Sequence, residues 1–531
     1  MPKVNKYYLL VFAFLFQVFS INAQRLQLEP FDVIDYQFKV ELNDNNDQIK
    51  VNACIKIVYD EDIPPITVLD FANKKGRYGM EVSTYKINDQ LVDFNHQSDQ
   101  LIIQTPDGFQ RGDTARLNIS YGGIPNGGLI IARNSAGFRT FFAEHWPNNA
   151  HQWLPVIDHP AEKATCEFNV LAPSKYRVVS NGERQKEEKL TSGMTRAIWK
   201  MNDPISPKVM VIGVAQFDVN TIDGNEMIRS WTYKSSGRKS INKFSNSSSI
   251  FDFIYEYMGD YPFSKCDQVE STTRFGGMEN AGNIFYPESS LIGDKSIDAT
   301  IAHEIAHQWF GDAVTEASWA DLWISEGFAT YFENLWTEKA FGKDSLLSKL
   351  RMDETNIQDD QIKRPGLKVI QDDFSEMDKL MNFMTYDKGA WVLRALAQKV
   401  GDETFKDIVV AFYKKYKYKT ASTTDFIVVA SEISKKDLSS FFELWFYRSG
   451  NPKIGYQWNY KNRKLMIEFE QLSVDIYEVE VDVYLKDVNG SSKIHRITLS
   501  KRKQTFEIQS KEVVDLEVDP MNFVLGDIFE I

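Results

Sequence analysis

Apolar and polar residues alternate with a period of two through the first part of the chain. In Asp35-Tyr36-Gln37-Phe38-Lys39-Val40-Glu41-Leu42 every second residue is apolar, and Ile49-Lys50-Val51-Asn52-Ala53-Cys54-Ile55-Lys56-Ile57 repeats the pattern. This alternation predicts half-buried strands, joined here by the Asn/Asp-rich turn over 43–47. Similar strands recur to about Phe217, separated by turn clusters such as Asn181-Gly182. From about residue 235 the period becomes helical. Helices are predicted over 251–258, 325–339, 386–400, 404–416, 424–434 and 438–448, with Gly342 and Gly401 as stops. After Ser449-Gly450-Asn451-Pro452 the alternation returns in 465–469, 479–484 and 505–508, which predicts a small β-sandwich. The pattern describes a multidomain α+β protein with a large β domain over 24–218, a mainly helical domain over 219–449 and a C-terminal β-sandwich domain over 450–531.

Composition bounds what these elements can do. At 531 residues and 43% hydrophobic, the chain suffices for several real cores. It opens with Lys3 and Lys6, continues with fifteen mostly apolar residues over 7–21, and then reads Asn22-Ala23-Gln24. A membrane-spanning helix needs about twenty apolar residues. The stretch is shorter and has a small residue at its end, so it predicts a secretory signal peptide, 1–23, cut after Ala23. The mature chain is then expected to be secreted or periplasmic, with no membrane span once the signal is removed. A formal net charge of −13 disfavours nucleic acid and anionic membrane as partners. Cys54, Cys166 and Cys266 lie far apart and form no disulfide framework and no zinc-finger spacing.

Only seven histidines are present, and two sit four apart in His303-Glu304-Ile305-Ala306-His307. On a helix, positions i and i+4 share a face, so both imidazoles can reach one ion with Glu304 beside them. Glu326 follows in Trp323-Ile324-Ser325-Glu326-Gly327, with eighteen residues between it and His307. Two neutral nitrogens and one carboxylate make three zinc ligands, His303, His307 and Glu326, and leave a fourth position for water. That open coordination belongs to catalytic sites. One Zn²⁺ per chain is expected. Ile301, Ala302, Ile305, Ala306, Trp309 and Phe310 crowd the same segment, so the helix is expected to be buried, with Gly311 as its stop. A second cluster, Phe275-Gly276-Gly277-Met278-Glu279-Asn280-Ala281-Gly282, precedes it. Paired glycines let backbone approach a ligand and bond an extended peptide, although in isolation they equally describe a turn with a solvated glutamate.

Taken together, these motifs resemble the zinc aminopeptidases of the gluzincin family that contains aminopeptidase N and leukotriene hydrolase. The residues that carry the resemblance are Gly276-Gly277-Met278-Glu279-Asn280, His303-Glu304-Ile305-Ala306-His307 with Glu326, Trp309-Phe310-Gly311-Asp312 and Thr385-Tyr386-Asp387-Lys388-Gly389. The resemblance implies a saddle-like N-terminal β-sheet domain, a thermolysin-like catalytic domain and a small sandwich, in a short form without the family's C-terminal helical domain. It implies a metallo-exopeptidase that hydrolyses the N-terminal peptide bond of peptides with a free amino terminus. Glu304 would then be the base that activates a zinc-bound water, and Tyr386 would donate to the oxyanion. Gly276, Gly277, Met278, Glu279 and Asn280 would bind substrate, Glu279 taking the α-ammonium. Relatives place a further polar residue for the amine before Asp158-His159-Pro160; here the candidate is Glu144. A thermolysin-like endopeptidase and a catalytically silent peptide-binding scaffold of the same fold are the alternatives.

Overall fold

The two alternating segments at the start form the antiparallel strands Phe31–Glu41 and Ile49–Tyr59. Val33, Tyr36, Phe38 and Val40 face inward, and the change of parity between Val33 and Tyr36 is absorbed by a bulge between Val33 and Asp35. This computed structural model describes residues 31–59, 66–371, 377–487, 492–510 and 513–531, so the expected signal over 1–23 lies outside the described residues. Two compact units divide the chain. The first takes the described residues to Phe217 together with 271–273 and 317–319, and the second takes the others.

In the first unit an eight-stranded sheet runs in the order Glu183–Lys189, Met194–Ile205, Ala164–Pro173, Phe31–Glu41, Ile49–Tyr59, Thr114–Ile124, Gly79–Ile87 and Gln90–Leu91. Its pairs are antiparallel except Phe31–Glu41 with Ala164–Pro173, which is parallel. A second sheet of four strands contains Arg139–Glu144, flanked by Gly128–Arg133 and Ile212–Ala215. Glu144 is the last residue of that strand. The next residue, His145, is fully buried and satisfied on both ring nitrogens. Nδ1–H donates to the Pro207 carbonyl at 2.8 Å, and Nε2 accepts from the Trp153 indole at 2.8 Å.

Helices dominate the second unit, but it begins with a sheet that the periodicity did not predict. Asn225–Tyr233, Asp267–Ser271 and Asn283–Pro287 pair within a four-stranded sheet. The latter two strands are buried at every position, so they lack the polar alternation that marks a half-exposed strand. The expected helices are present as Ser247–Met258, Trp323–Phe341, Gly389–Val400, Asp402–Tyr416, Thr423–Ser434 and Ser439–Tyr447. A further helix, Lys343–Lys363, was not expected. Its inward face reads Leu346, Leu350, Asp353, Ile357 and Asp360, so two of five buried positions are acidic and the apolar stripe is broken.

An aromatic core locks the helices. Phe310 stacks on Phe328 with centroids 4.1 Å apart, and Phe412, Phe426 and Trp323 continue the cluster. After residue 450 the chain returns to strands. Lys453–Lys461 pairs with Lys464–Gln471 and, in parallel, with Asp527–Glu530; Val479–Lys486 pairs with Ser492–Leu499 and Asp515–Val518. All three cysteines are free thiols. Among the described residues, no helix is long and apolar enough to cross a membrane.

Candidate active site

The helix Asp298–His307 buries Ile301, Ala302, Ile305 and Ala306 completely, which anchors one face and aims the other. His303, Glu304 and His307 project toward Glu326 on the helix Trp323–Phe341. His303 Nε2 lies 3.4 Å and His307 Nε2 3.3 Å from the same oxygen, Glu326 Oε2. Those separations match the edge of a tetrahedron with metal–ligand bonds of about 2.0–2.1 Å, which is about 3.3–3.4 Å. Both far ring nitrogens are also placed. His303 Nδ1 is 3.3 Å from Glu333 Oε2, and His307 Nδ1 is 3.1 Å from the Phe310 carbonyl. Acceptors there hold the protons on Nδ1 and leave both Nε2 lone pairs converging with a carboxylate. The donor set therefore fits a divalent cation such as zinc.

Helix Asp298–His307 ends at its second histidine, earlier than expected, and Gly311 has another role than a helix stop. A Cβ at Gly311 would stand 2.5 Å from Ser325 Oγ and 3.0 Å from His307 Nδ1. Its φ of 125° also lies where L side chains are strained. The turn is glycine because it wraps the back of the histidine.

Electrostatics follow from the packing. Burial works to lower the pKa of His303, but Glu326 and Glu333 outweigh it and hold the ring well above its ordinary value. His307 is also raised, by Glu326 against burial. Burial works to raise the carboxyl of Glu326, yet the two imidazoles hold it far below the usual range. Glu304 goes the other way. Burial pushes its carboxyl up to about 7, against the two histidines and with the charge of Glu279 adding to the rise.

The glycine cluster lies against Glu304. A Cβ on Gly277 would stand 2.2 Å from Glu304 Oε1, so only glycine fits beside that carboxylate. Met278 exchanges backbone hydrogen bonds with Phe285 at 2.8 and 2.9 Å, making an isolated antiparallel bridge at the edge of Asn283–Pro287. Gln308, fully buried just after His307, donates from Nε2 to the Glu279 carbonyl at 2.8 Å. Its Oε1 accepts the Gly282 N–H at 2.7 Å, so the segment is pinned to the histidine-bearing helix. Glu279 is buried, and its Oε1 has no hydrogen-bond partner among the described residues. Both amide atoms of the fully buried Asn280 are likewise unpartnered there. Carboxylate oxygens of Glu279 and Glu304 and a ring nitrogen of His307 all lie within 4.8 Å of one another.

Tyr386 reaches the cluster through a glycine crossing. Gly327, next to Glu326, and Gly389 pack so closely that a Cβ on either would come within 3.1–3.2 Å of the other's backbone. Residues Met384–Lys388 form a π-helical turn just before Gly389. The Tyr386 ring lies nearly parallel to that of His303, with centroids 6.0 Å apart, and its hydroxyl is close enough to Glu326 to feel that charge. Burial and the nearby Glu326 push its phenol well above the ordinary value.

The structure thus brings His303, Glu304, His307, Glu326, Tyr386, Gly277 and Glu279 together within the second unit. Glu144 lies in the first unit, where it is buried and accepts a 2.6 Å hydrogen bond from Thr273 Oγ1. Sequence reasoning missed Glu333 and Gln308. Glu333 had a signal, since it stands seven residues beyond Glu326, two helical turns on the same face. Gln308 had none beyond adjacency to His307.

Two catalytic-type histidines, a glutamate from the next helix and a buried acid beside them define the helix-borne metallopeptidase arrangement. Comparison with known proteins agrees. Residues 243–445 match the peptidase family M1 domain, and residues 33–207 match the peptidase M1 N-terminal domain. The chain belongs to peptidase family M1. It is similar to glutamyl aminopeptidase of Sus scrofa, 27% identical over 368 residues covering 64% of this chain and 38% of the relative. Glutamyl aminopeptidase of Homo sapiens is 28% identical over 360 residues, 64% of this chain and 38% of the relative. Aminopeptidase M1-C of Oryza sativa subsp. japonica is 30% identical over 348 residues, 61% of this chain and 38% of the relative. The matched region spans about two fifths of these relatives' length.

Proposed function

We propose that this protein is a zinc aminopeptidase that removes the first residue from peptides with a free amino terminus. The observation that carries the reading is the convergence of His303, His307 and Glu326 on one point beside Glu304. The chemistry supplied by a zinc ion held there is Lewis acidity toward a carbonyl oxygen and toward water. Glu304, buried with a carboxylate oxygen within 4.8 Å of a ring nitrogen of His307, is placed to take a proton from an attacking water and pass it to the leaving amine. Tyr386 keeps its proton and donates a hydrogen bond to the developing oxyanion. Gly276 and Gly277 leave room for the substrate backbone, and Met278 and Asn280 flank the anchor.

Glu279 makes the site an exopeptidase. Its buried, unpartnered oxygen beside a second carboxylate calls for a cation, and the α-ammonium of a peptide supplies one. An internal stretch of peptide would leave that charge unpaired, at a cost of about 3–5 kcal/mol. This favours the exopeptidase over the endopeptidase reading.

The division into 24–218, 219–449 and 450–531, the last as a small sandwich, belongs to this reading. So does a removed signal over 1–23 with secreted or periplasmic placement; intact-mass measurement of exported protein should show the chain starting at Gln24. The decisive assay uses purified, zinc-replete protein with paired peptides, one free and one acetylated at the amino terminus. Only the free peptide should be cut, and Glu304→Gln should retain metal while losing turnover by several orders of magnitude. Equal cleavage of both peptides, or an unchanged rate for the variant, would remove the reading.

A further inference from the structure

We propose that Lys349, on the helix Lys343–Lys363, is a positioning residue for the zinc site, acting on His303 through Glu333. The inference rests on the zinc reading above and extends it to a helix that contributes no ligand. Lys349 Nζ stands 3.6 Å from Glu333 Oε1 and 2.9 Å from Asp353 Oδ2. The other oxygen of Glu333 is the one that faces His303 Nδ1 at 3.3 Å. One carboxylate thus divides its two oxygens between the ammonium and the ligand ring. All three side chains are largely buried, with 16%, 18% and 4% exposure for Lys349, Glu333 and Asp353.

The charges explain why a cation is needed at that point. The charges of Glu333, Asp353 and Asp387 all act on Lys349. Without the ammonium, Glu333 would lose the cation that holds its second oxygen and with it the orientation that aims the first at His303. That loss removes the acceptor that keeps the proton of His303 on Nδ1 and its Nε2 lone pair toward Glu326. The same helix also holds the tyrosine turn. Asp360 Oδ2 accepts the Phe383 N–H at 2.9 Å, three residues before Tyr386. The acidic positions that break its apolar stripe are therefore the ones that face the site.

A double-mutant cycle read by zinc affinity tests this, with Kd measured by competition against a chromogenic chelator and folding followed by circular dichroism. Lys349→Met should weaken zinc binding about 10- to 100-fold, in the range for outer-shell partners, and Lys349→Arg should restore it to within about threefold. Glu333→Gln should weaken binding comparably, and adding Lys349→Met to it should change Kd by less than about twofold, because the path is already cut. Additive losses in the double variant, or a Lys349→Met Kd within twofold of wild type, would overturn the proposal. If Lys349→Met alone fails to fold, Lys349→Gln takes its place in the cycle, and the same two outcomes decide. Wild-type protein that takes up no zinc at all would instead sink the zinc reading, and this proposal with it.

Discussion

Glu326 and Glu279 are both buried carboxylates at one site, yet they live under opposite conditions. Glu326 is answered by two imidazoles within 3.4 Å. Glu279 has an oxygen with no partner among the described residues and a like charge, Glu304, close by. Burying an unpaired charge is costly, and folds keep such groups chiefly where a ligand completes them. The contrast separates a place built for a resident from a place kept for a visitor. On the function proposed above, the resident ion finds all its protein partners already in place, down to the Nδ1 acceptors, whereas Glu279 is completed only by the α-ammonium of a substrate.

The largest effect should come from the resident side. Glu326→Ala should leave the protein unable to retain zinc through dialysis, with metal content near zero and turnover at background. Chelation of the wild type should lower its melting temperature by linkage, and zinc should restore it. A variant that keeps full metal content would break the comparison. Tyr386→Phe comes next. It should lower kcat about 10²- to 10³-fold, as loss of one oxyanion donor does, at unchanged zinc stoichiometry.

On the visitor side, Glu279→Gln should cost about 2–3 kcal/mol in kcat/KM for peptides with a free amino terminus. It should leave the already poor rate on acetylated peptides unchanged, so the ratio between the two substrates falls. A preserved ratio would show that Glu279 does not read the amine.

His145 sharpens the contrast among the histidines. His303 and His307 are buried against carboxylates and are raised; His145 is buried against neutral partners, and burial lowers it to about 4. A folded-state value below the unfolded one means that the unfolded chain binds the proton first as pH falls. Stability should therefore be lost between about pH 6.5 and 4, by about 3 kcal/mol from this group. Comparing the pH dependence of unfolding for wild type and His145→Gln should show that window shrink. The smallest effect is the most diagnostic. Glu279→Met should raise stability by about 1 kcal/mol by removing an unanswered buried charge, whereas a ligand-side substitution should not.

Much of this site was legible because its signals are local. His303 and His307 share a face by spacing alone, and Tyr386 was marked by its Tyr-Asp-Lys-Gly setting. What escaped was either masked or long-range. Helix Lys343–Lys363 escaped because Asp353 and Asp360 interrupt its stripe, and strands Asp267–Ser271 and Asn283–Pro287 because burial on both faces erases alternation. Gly311 was read as a helix stop, whereas the helix ends at His307 and the glycine is needed because His307 and Ser325 stand behind it.

Periodicity in the chain determined which residues share a helix face or a strand face, because those relations are set by backbone geometry within a few residues. Only the tertiary structure decided which faces meet. The Gly327–Gly389 crossing brings Tyr386 to Glu326, Gly277 yields its space to Glu304, and Thr273 bonds Glu144 across 129 positions of sequence. Lys349 reaches His303 through Glu333 in the same way. Contacts of that kind depend on close packing of distant segments, and no local pattern of hydrophobicity encodes them.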